Sequence, residues 1–541
     1  MLGLAITLLI GFFLRLTGLN WDQGMHLHPD ERMLIMVSDK IHFFTNLNPN
    51  FFNYGSLPIY LLSGLNQIVN SLFPTTLSSY DSMLYIGRAL SLLADMLVIF
   101  TVNKLSWKLF KNRQISILAP LLYALSFFPI QNSHFFIVDT FLNLFLLLTL
   151  YAILRFVERE SRTRVALIAF FFAAALTIKI TAVIFIPFIG AVILFQKRKS
   201  LGNGAVTLVI FTIELLLFSF ILMPFAFLDW QKFIADVSLQ IKLASDPYVF
   251  PYTLQYVGTI PYIYYVKNIF LWGLGPVTSV LSIIGCIAII LELKSKYLKR
   301  KLKTQHLLLL VFLAFYAFYF VSLGRSAVKF MRYMLPLYPF LSILAAYGLM
   351  KLSIIWKKGV IIVLVVAAFL WTLTFSSMFT KEHTRISASN WILKNIPTNS
   401  VIAVEHWDDR LPIYHSEQYR FEELQLYNQP DNKAKWEILN RQLERTDYMV
   451  IASNRLYVPL QKLDNCAQYK ACYPITSQYY KKLLGGQSNF KLIKEFVVQP
   501  ELRILKWSLQ ISDQSADESF TVYDHPKILI FQNVSKDKSG L

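Results

Sequence analysis

The sequence predicts a polytopic α-helical membrane protein with a soluble α/β domain at its carboxyl end. Hydrophobic residues make up 55% of the 541 residues and charged residues only 16%, and the long apolar runs lie before residue 380. Runs of about 20 apolar residues are long enough to cross a bilayer as helices. The composition therefore excludes an ordinary soluble globular protein.

The formal net charge of +19 belongs to the apolar part of the chain. Residues 1–378 hold 31 Lys and Arg against 14 Asp and Glu, whereas the remainder holds 21 against 19. The cations form short clusters between apolar runs, which is the pattern of cytoplasmic loops. Because they do not form a continuous basic face with interleaved aromatic residues, we do not expect nucleic-acid binding.

Apolar runs and basic clusters together predict about 11 transmembrane helices. The first run lacks a basic n-region and a cleavage site, so we expect an anchoring helix and not a cleaved signal. An even number of crossings must separate two cytoplasmic loops, which requires two short helices meeting near Lys179 in 165–196. The predicted spans are 2–19, 83–102, 204–227, 266–291 and 359–378, with two each in 115–154, 165–196 and 305–350.

The predicted domains are a transmembrane domain at 1–379 and an extracytoplasmic α/β domain at 380–541 of a plasma-membrane protein. The first has large outer loops at 20–82 and 228–265. In the second, the β-branched runs VIAVEHW, YMVIAS, FKLIKEFVV and KILIFQNV are typical of strands, and ISASNWILKNI and KAKWEILNRQL of helices. This part contains no glycine-rich phosphate loop, metal-spaced Cys/His set or nucleophile elbow. Cys466 and Cys472 either close a local disulfide or remain free thiols.

Acidic residues mark the outer face of the predicted bundle. Asp30 and Glu31 open an amphipathic stretch in the first outer loop, where they could simply stabilise the start of a helix through its dipole. Asp139 begins another span after an outward turn and therefore reaches the same membrane face. Two acids at one face form a candidate site.

Three basic residues lie in or at the outer ends of spans, where charged side chains are costly and therefore suggest a function. Arg88 and Arg332 could instead reach the interface with their long side chains, and Arg88 could pair with Asp95 on the same helix. Lys179 lies at a predicted outer junction and could hold an anion. Cations that stabilise a lipid phosphate and an acid that serves as general base suit glycosyl transfer at the interface.

At these residues the sequence resembles the GT-C membrane glycosyltransferases that use polyprenyl-phosphate sugars, including protein O-mannosyltransferases and aminoarabinose transferases. The resemblance covers most of the membrane part. It rests on HPDERMLIMV, NPNFFNYGSLPIYLL, IGRALSLLADMLVIFTVNKL, NSHFFIVDTFLNLF, SDPYVFPYTLQYVGTIPYIYYVKNIFLWGLGP and FMRYMLPLYPFLSILAAYGL. It implies a GT-C-like bundle and an inverting transfer of a hexose or pentose from a polyprenyl (undecaprenyl or dolichyl) phosphate to an extracytoplasmic protein, lipid or glycan.

The resemblance also implies roles for individual residues. Asp30, with Glu31 as a second choice, corresponds to the catalytic base, and Asp139 corresponds to the acid of the second outer loop. The donor-phosphate set consists of Arg88, Lys179 and Arg332. A divalent ion (Mn²⁺, Mg²⁺ or Zn²⁺) is a minority hypothesis, because no fixed ligand spacing supports it. Its candidate ligands are His28, Asp30, His134 and Asp139.

Two other classes of function remain open. A transporter or flippase of a lipid-linked or anionic substrate would also place charges in its helices, but such proteins usually show paired repeats with interrupted helices. A membrane sensor with a ligand-binding outer domain would not need so many spans. An acidic first loop favours chemistry at the interface over a path through the bundle.

Overall fold

The computed structural model describes residues 2–73, 77–301, 303–355 and 359–536, and the chain divides into two compact units. The first unit comprises Met1–Asn20, His28–Lys242 and Ile260–Ser376, and the second comprises Trp21–Leu27, Leu243–Thr259 and Ser377–Leu541. The predicted domain boundary lies three residues after this division. Segments of both predicted outer loops group with the carboxyl-terminal unit.

The first unit is helical. Its helices are α1 (Leu2–Leu16), α2 (Pro29–Ser38), α3 (Leu57–Leu72), α4 (Ser79–Phe110), α5 (Arg113–Ala124), α6 (Phe127–Ser133), α7 (Val138–Glu158), α8 (Arg162–Ile178), α9 (Ile186–Gln196), α10 (Leu201–Leu222), α11 (Phe225–Leu228), α12 (Trp230–Ser245), α13 (Ile263–Asn268), α14 (Pro276–Leu298), α15 (Thr304–Leu323), α16 (Leu337–Ile355) and α17 (Gly359–Ser376). The last residues of α12 belong to the second unit.

The chain is a multi-pass membrane protein. Over the described ranges, seven helices are long and apolar enough to cross a bilayer, or eight if α5 and α6, which are bent by 58°, form one span. The other predicted spans correspond to shorter helices: α1, α8 and the segment Ile180–Gln196. The helical membrane fold is thus confirmed, and the count of about 11 crossings stays a prediction.

The helical backbone is interrupted between α8 and α9, where the sequence predicts two short helices to meet. Lys179 has an extended backbone (φ −152°, ψ 116°), and a 3-10 turn, Ile180–Phe185, follows it. Because Lys179 lies outside a regular helix, helical spacing does not set the direction of its side chain, and this matters for the site.

A buried network joins α1, α4 and α5 inside the first unit. The Arg15 guanidinium donates to Asp95 at 2.6 Å, and the Tyr123 hydroxyl donates to the other oxygen of the same carboxylate. The partner of Asp95 is therefore Arg15, and the alternative pairing with Arg88 is wrong. A fully buried charge is tolerated because it is paired and hydrogen-bonded.

The second unit is an α/β fold, as predicted. Its elements are α18 (Thr384–Asn395), β1 (Val401–Glu405), β2 (Arg420–Leu424), α19 (Lys433–Arg445), β3 (Tyr448–Ile451), α20 (Tyr457–Lys462), α21 (Pro474–Leu484), β4 (Phe490–Phe496), β5 (Glu501–Ile504), β6 (Trp507–Gln510), α22 (Glu518–Thr521) and β7 (Ile528–Asn533). A five-stranded sheet has the order β2-β1-β3-β7-β4, and β5 and β6 form a separate hairpin. Strand β1 is parallel to β2 and β3, whereas β7 is antiparallel to β3 and β4.

Both faces of the five-stranded sheet are covered. On one face α18 packs through Ala388 and Ile392, and on the other α19 packs through Trp436 and Leu439. The segment Leu243–Thr259 contributes Leu254 to this second core, which explains why an outer-loop segment groups with this unit. Cys466 and Cys472 form a disulfide bond.

Candidate active site

Asp30 lies in the first turn of α2, a position that the sequence fixes through His28 and Pro29. His28 caps the helix, and its Nδ1 accepts the Glu31 N–H at 3.4 Å, while Pro29 supplies the first helical residue. One carboxylate oxygen of Asp30 accepts the Tyr54 hydroxyl at 3.0 Å, and the other accepts the Arg332 guanidinium. The acid is therefore held from two sides.

A second acid lies next to the same arginine. Asp139, in the first turn of α7, accepts the Lys179 ammonium at 2.7 Å, and its other oxygen is 3.9 Å from Arg332 Nε. Lys179 Nζ also lies 4.6 Å above the ring of Tyr333. Asp30, Arg332, Asp139 and Lys179 thus form one chain of alternating charges, which we call the charge cluster.

The charge cluster is only partly accessible. The Asp139 side chain is 3% exposed, whereas that of Asp30 is 22% exposed and those of Arg332 and Lys179 are each 13% exposed. Two cations and two anions give the cluster no net formal charge. A phosphate bound at the cluster would meet its two cationic groups. Of the two acids, Asp30 is the one that a second substrate reaches more readily.

The electrostatics of the charge cluster keep Asp30 ionised. Burial by itself raises the pKa of this carboxyl, but the charges of Arg332 and His28 and the hydrogen bonds from Arg332 and Tyr54 outweigh it and lower the pKa to about 2. Burial, together with the charge of the same carboxylate, raises the pKa of Tyr54 well above its ordinary value. Asp30 can therefore accept a proton, and Tyr54 remains a hydrogen-bond donor.

Glu31 and Arg88 form a separate ion pair. Both side chains are fully buried, and Arg88 Nε and Nη2 donate to the two Glu31 oxygens at 3.0 and 2.8 Å. Glu31 also accepts the Phe136 N–H at 2.8 Å, and Arg88 donates to the Leu19 carbonyl at 3.0 Å. Of the three cations predicted to bind the donor phosphate, Arg332 and Lys179 therefore lie together. Arg88 is instead buried between helices, where it pairs with Glu31.

The residues named as metal ligands do not form a metal set. Within the described part of the chain, no three His, Cys, Asp or Glu side chains lie together as a metal site requires. The ring nitrogens of His134 lie 2.8 Å from the Ile130 carbonyl and 2.9 Å from the Thr17 carbonyl. Since Asp30 and Asp139 pair with cations, we derive no step through a metal ion.

Sequence reasoning did not single out two tyrosines of the site. Tyr54 contacts Asp30, and Tyr333 lies under Lys179, where the Tyr319 hydroxyl donates to its carbonyl at 2.5 Å. Both lie within segments quoted for the family resemblance, NPNFFNYGSLPIYLL and FMRYMLPLYPFLSILAAYGL. In a chain with 28 tyrosines, only the three-dimensional contacts distinguish these two.

Comparison with known proteins supports the resemblance. The family model of dolichyl-phosphate-mannose-protein mannosyltransferases matches residues 77–223, a range that contains Arg88, Asp139 and Lys179. No curated protein sequence matches the chain. The apo oligosaccharyltransferase of Archaeoglobus fulgidus superposes with a TM-score of 0.52 and 14% identity, covering 88% of this chain and 72% of that one.

This chain has the GT-C fold. Two further structures are similar with lower scores. ArnT from Cupriavidus metallidurans bound to undecaprenyl phosphate gives a TM-score of 0.45 at 13% identity, covering 85% of this chain and 94% of that one. Archaeoglobus fulgidus AglB, in complex with an inhibitory peptide and a dolichol-phosphate, gives 0.49 at 13%, covering 95% and 74%. We base the fold assignment on the first structure, and the resemblance to GT-C glycosyltransferases is confirmed.

Proposed function

We propose that this protein is an inverting glycosyltransferase that moves a hexose or pentose from a polyprenyl phosphate donor to an extracytoplasmic acceptor. The observation that carries the proposal is the charge cluster, in which two acids and two cations alternate within contact distance. Such a set can bind a phosphate and still present a carboxylate. The matched family and fold belong to glycosyltransferases, which supports this choice over a flippase.

Each residue of the cluster has one role in the proposed reaction. The acceptor hydroxyl oxygen attacks the anomeric carbon of the donor sugar, and its proton passes to Asp30, which acts as general base. The bond between that carbon and the phosphate oxygen breaks, and polyprenyl phosphate leaves with its electron pair. Arg332 and Lys179 stabilise the negative charge on the leaving phosphate. Asp139 is a positioning residue, since it holds Lys179 at 2.7 Å.

Glu31 and Arg88 support the site without contacting substrate in this proposal. Their ion pair is fully buried and joins the first turn of α2 to α4. Because Arg88 is fully buried, whereas Arg332 and Lys179 are each 13% exposed, we assign the donor phosphate to Arg332 and Lys179. The pair fixes the helix that carries Asp30.

The proposal places the second unit in the extracytoplasmic space. Its role would be selection of the acceptor, because we find the candidate chemistry in the first unit. Protein, lipid and glycan acceptors all present hydroxyl or amide groups that a transferred sugar can join. Comparing the mass of surface glycans and lipids with and without the gene would reveal sugar and acceptor together.

The direct test uses purified protein in nanodiscs with a mixture of polyprenyl-phosphate sugars and a membrane extract as the acceptor source. We expect polyprenyl phosphate to be released only with the intact charge cluster, so the Asp30→Asn variant should release none above background. Glu417→Gln, an exposed acid on the second unit, is the matched control and should react normally. Movement of lipid-linked sugar across vesicles without a new glycosidic bond would indicate a flippase instead.

A further inference from the structure

The hairpin of β5 and β6 has one apolar face. The two strands pair antiparallel, with Leu502 opposite Leu509 and Ile504 opposite Trp507. Opposed residues share a face, and residues two positions apart lie on the same face, so these four apolar side chains lie together. Arg503 and Ser508, which also oppose each other, occupy the other face.

The apolar face and the tip of this hairpin are exposed. Leu505 at the tip is 99% exposed and Trp507 is 83% exposed, and Ile504 and Leu509 are also largely uncovered. Leu505 has φ 53°, a left-handed conformation that is unfavourable for any residue with a side chain except in special turns. A glycine or asparagine would suit that turn better, so the leucine points to a role for its apolar side chain. A two-stranded hairpin with this surface is marginally stable in water.

The base of the hairpin contacts the residues that directly follow the last predicted membrane helix. Helix α17 ends at Ser376, and the hydroxyl of the next residue, Ser377, accepts the Glu501 N–H at 3.0 Å. The Lys381 ammonium donates to the Glu501 carboxylate at 3.0 Å and to the Gln499 carbonyl at 3.1 Å. The base of the hairpin is therefore held beside the first residues that follow α17, the last predicted span.

We propose that this hairpin inserts its apolar face and tip into the lipid headgroup region and anchors the second unit to the membrane surface. Tryptophan and leucine beside lysine are typical of segments at the membrane interface. Lys506, next to the tip, can direct its charge to lipid phosphates while its carbon chain remains among apolar neighbours. Continuity with the end of α17 favours a lipid surface over a soluble partner. The inference does not depend on the proposed reaction.

Spin labels at single cysteines in nanodiscs of phosphatidylcholine and phosphatidylglycerol test this proposal. In a Cys286→Ser background, Leu505→Cys places a label at the tip, and Ile438→Cys on α19 places a control label at an exposed apolar position of the same unit. Power saturation then compares contact with oxygen, which enriches in lipid, and with a nickel chelate, which stays in water. We expect the ratio of oxygen to nickel contact to be at least fivefold higher at residue 505 than at residue 438.

Two results would overturn the proposal. Equal nickel contact at residues 505 and 438 would place the tip in water. Low contact with both reagents at residue 505 would place it against protein, either a second copy or another chain. The substitutions at residues 505 and 438 replace largely exposed side chains, so we expect both variants to fold.

Discussion

Neutralising the two adjacent acids of α2 should have different effects. Loss of the Asp30 charge should lower the reaction rate, and loss of the Glu31 charge should lower the stability of the fold. Asp30→Asn removes a partly exposed carboxylate that Tyr54 and Arg332 hold in place. Loss of a general base typically lowers the rate 10²- to 10⁴-fold, which is about 3 to 5 kcal/mol of activation free energy. Glu31→Gln instead leaves the Arg88 charge buried without its counter-ion, which costs about 3 to 5 kcal/mol of folding free energy.

The assay measures both quantities for both variants. Initial rates of sugar transfer and thermal unfolding are recorded in the same nanodiscs, with the same chemical change at neighbouring positions serving as mutual control. We expect Asp30→Asn to lose most of its transfer activity with only a moderate loss of stability, and Glu31→Gln to unfold at a clearly lower temperature than Asp30→Asn. A Glu31→Gln variant with full stability and no transfer would identify Glu31 as the base. Normal turnover by Asp30→Asn would refute the proposed mechanism.

Three other substitutions test separate parts of the structure. Lys179→Gln should raise the KM for the donor at least tenfold, because a cation beside the phosphate is lost; titration with polyprenyl phosphate measures this, and unchanged affinity would remove Lys179 from the site. Asp95→Leu should destabilise the first unit by about 3 kcal/mol through the unpaired Arg15, and adding Arg15→Met should recover most of the loss in unfolding measurements. Burial lowers the pKa of His525, but Asp524 and Asp513 outweigh this and raise it to about 10. The stability that these pairs contribute is therefore complete below pH 6.5 and disappears as the pH rises through about 10. Between pH 6.5 and 10, the free energy of unfolding of His525→Gln should therefore change less with pH than that of the unmodified protein.

The membrane fold could be predicted because its signal is local. Long apolar runs and basic clusters identify helices one at a time, and even the break at Lys179 followed from the parity of crossings. In the second unit, β1, β3, β4 and β7 are rich in β-branched or aromatic residues and were predicted. Strand β2, with the sequence RFEEL, was not, because three of its five residues are charged and its pairing with β1 is set by tertiary contacts.

The site could be predicted only as a set of charges at one membrane face. The sequence predicts Asp30, Asp139, Lys179 and Arg332 at one membrane face, but which cation contacts which acid depends on distances between helices. Arg88 and Asp95 lie on one helix seven residues apart, yet each has a partner on another element. Sequence spacing within a helix cannot reveal those partners.

In the proposed reaction Arg332 contacts both Asp30 and the donor phosphate, so donor binding should change the pH dependence of transfer. Burial raises the pKa of Asp30, but the charge and hydrogen bond of Arg332, together with the charge of His28 and the hydrogen bond from Tyr54, lower it to about 2. If a bound donor phosphate draws Arg332 away, the pKa of Asp30 rises and the carboxylate becomes a stronger base in the presence of donor. A return to the ordinary value of 3.8 would correspond to about 2.5 kcal/mol.

Arg332→Gln should reproduce that change permanently. With the guanidinium gone, burial is opposed only by His28 and Tyr54, so the pKa of Asp30 rises and kcat/KM should fall on the acidic side at a higher pH than before. Transfer rates between pH 3 and 8 measure this, and Arg332→Lys, which keeps the charge, should retain most of the original profile. An Arg332→Gln variant with a weaker donor affinity but an unchanged acidic limb would show that Arg332 binds phosphate without controlling the basicity of Asp30.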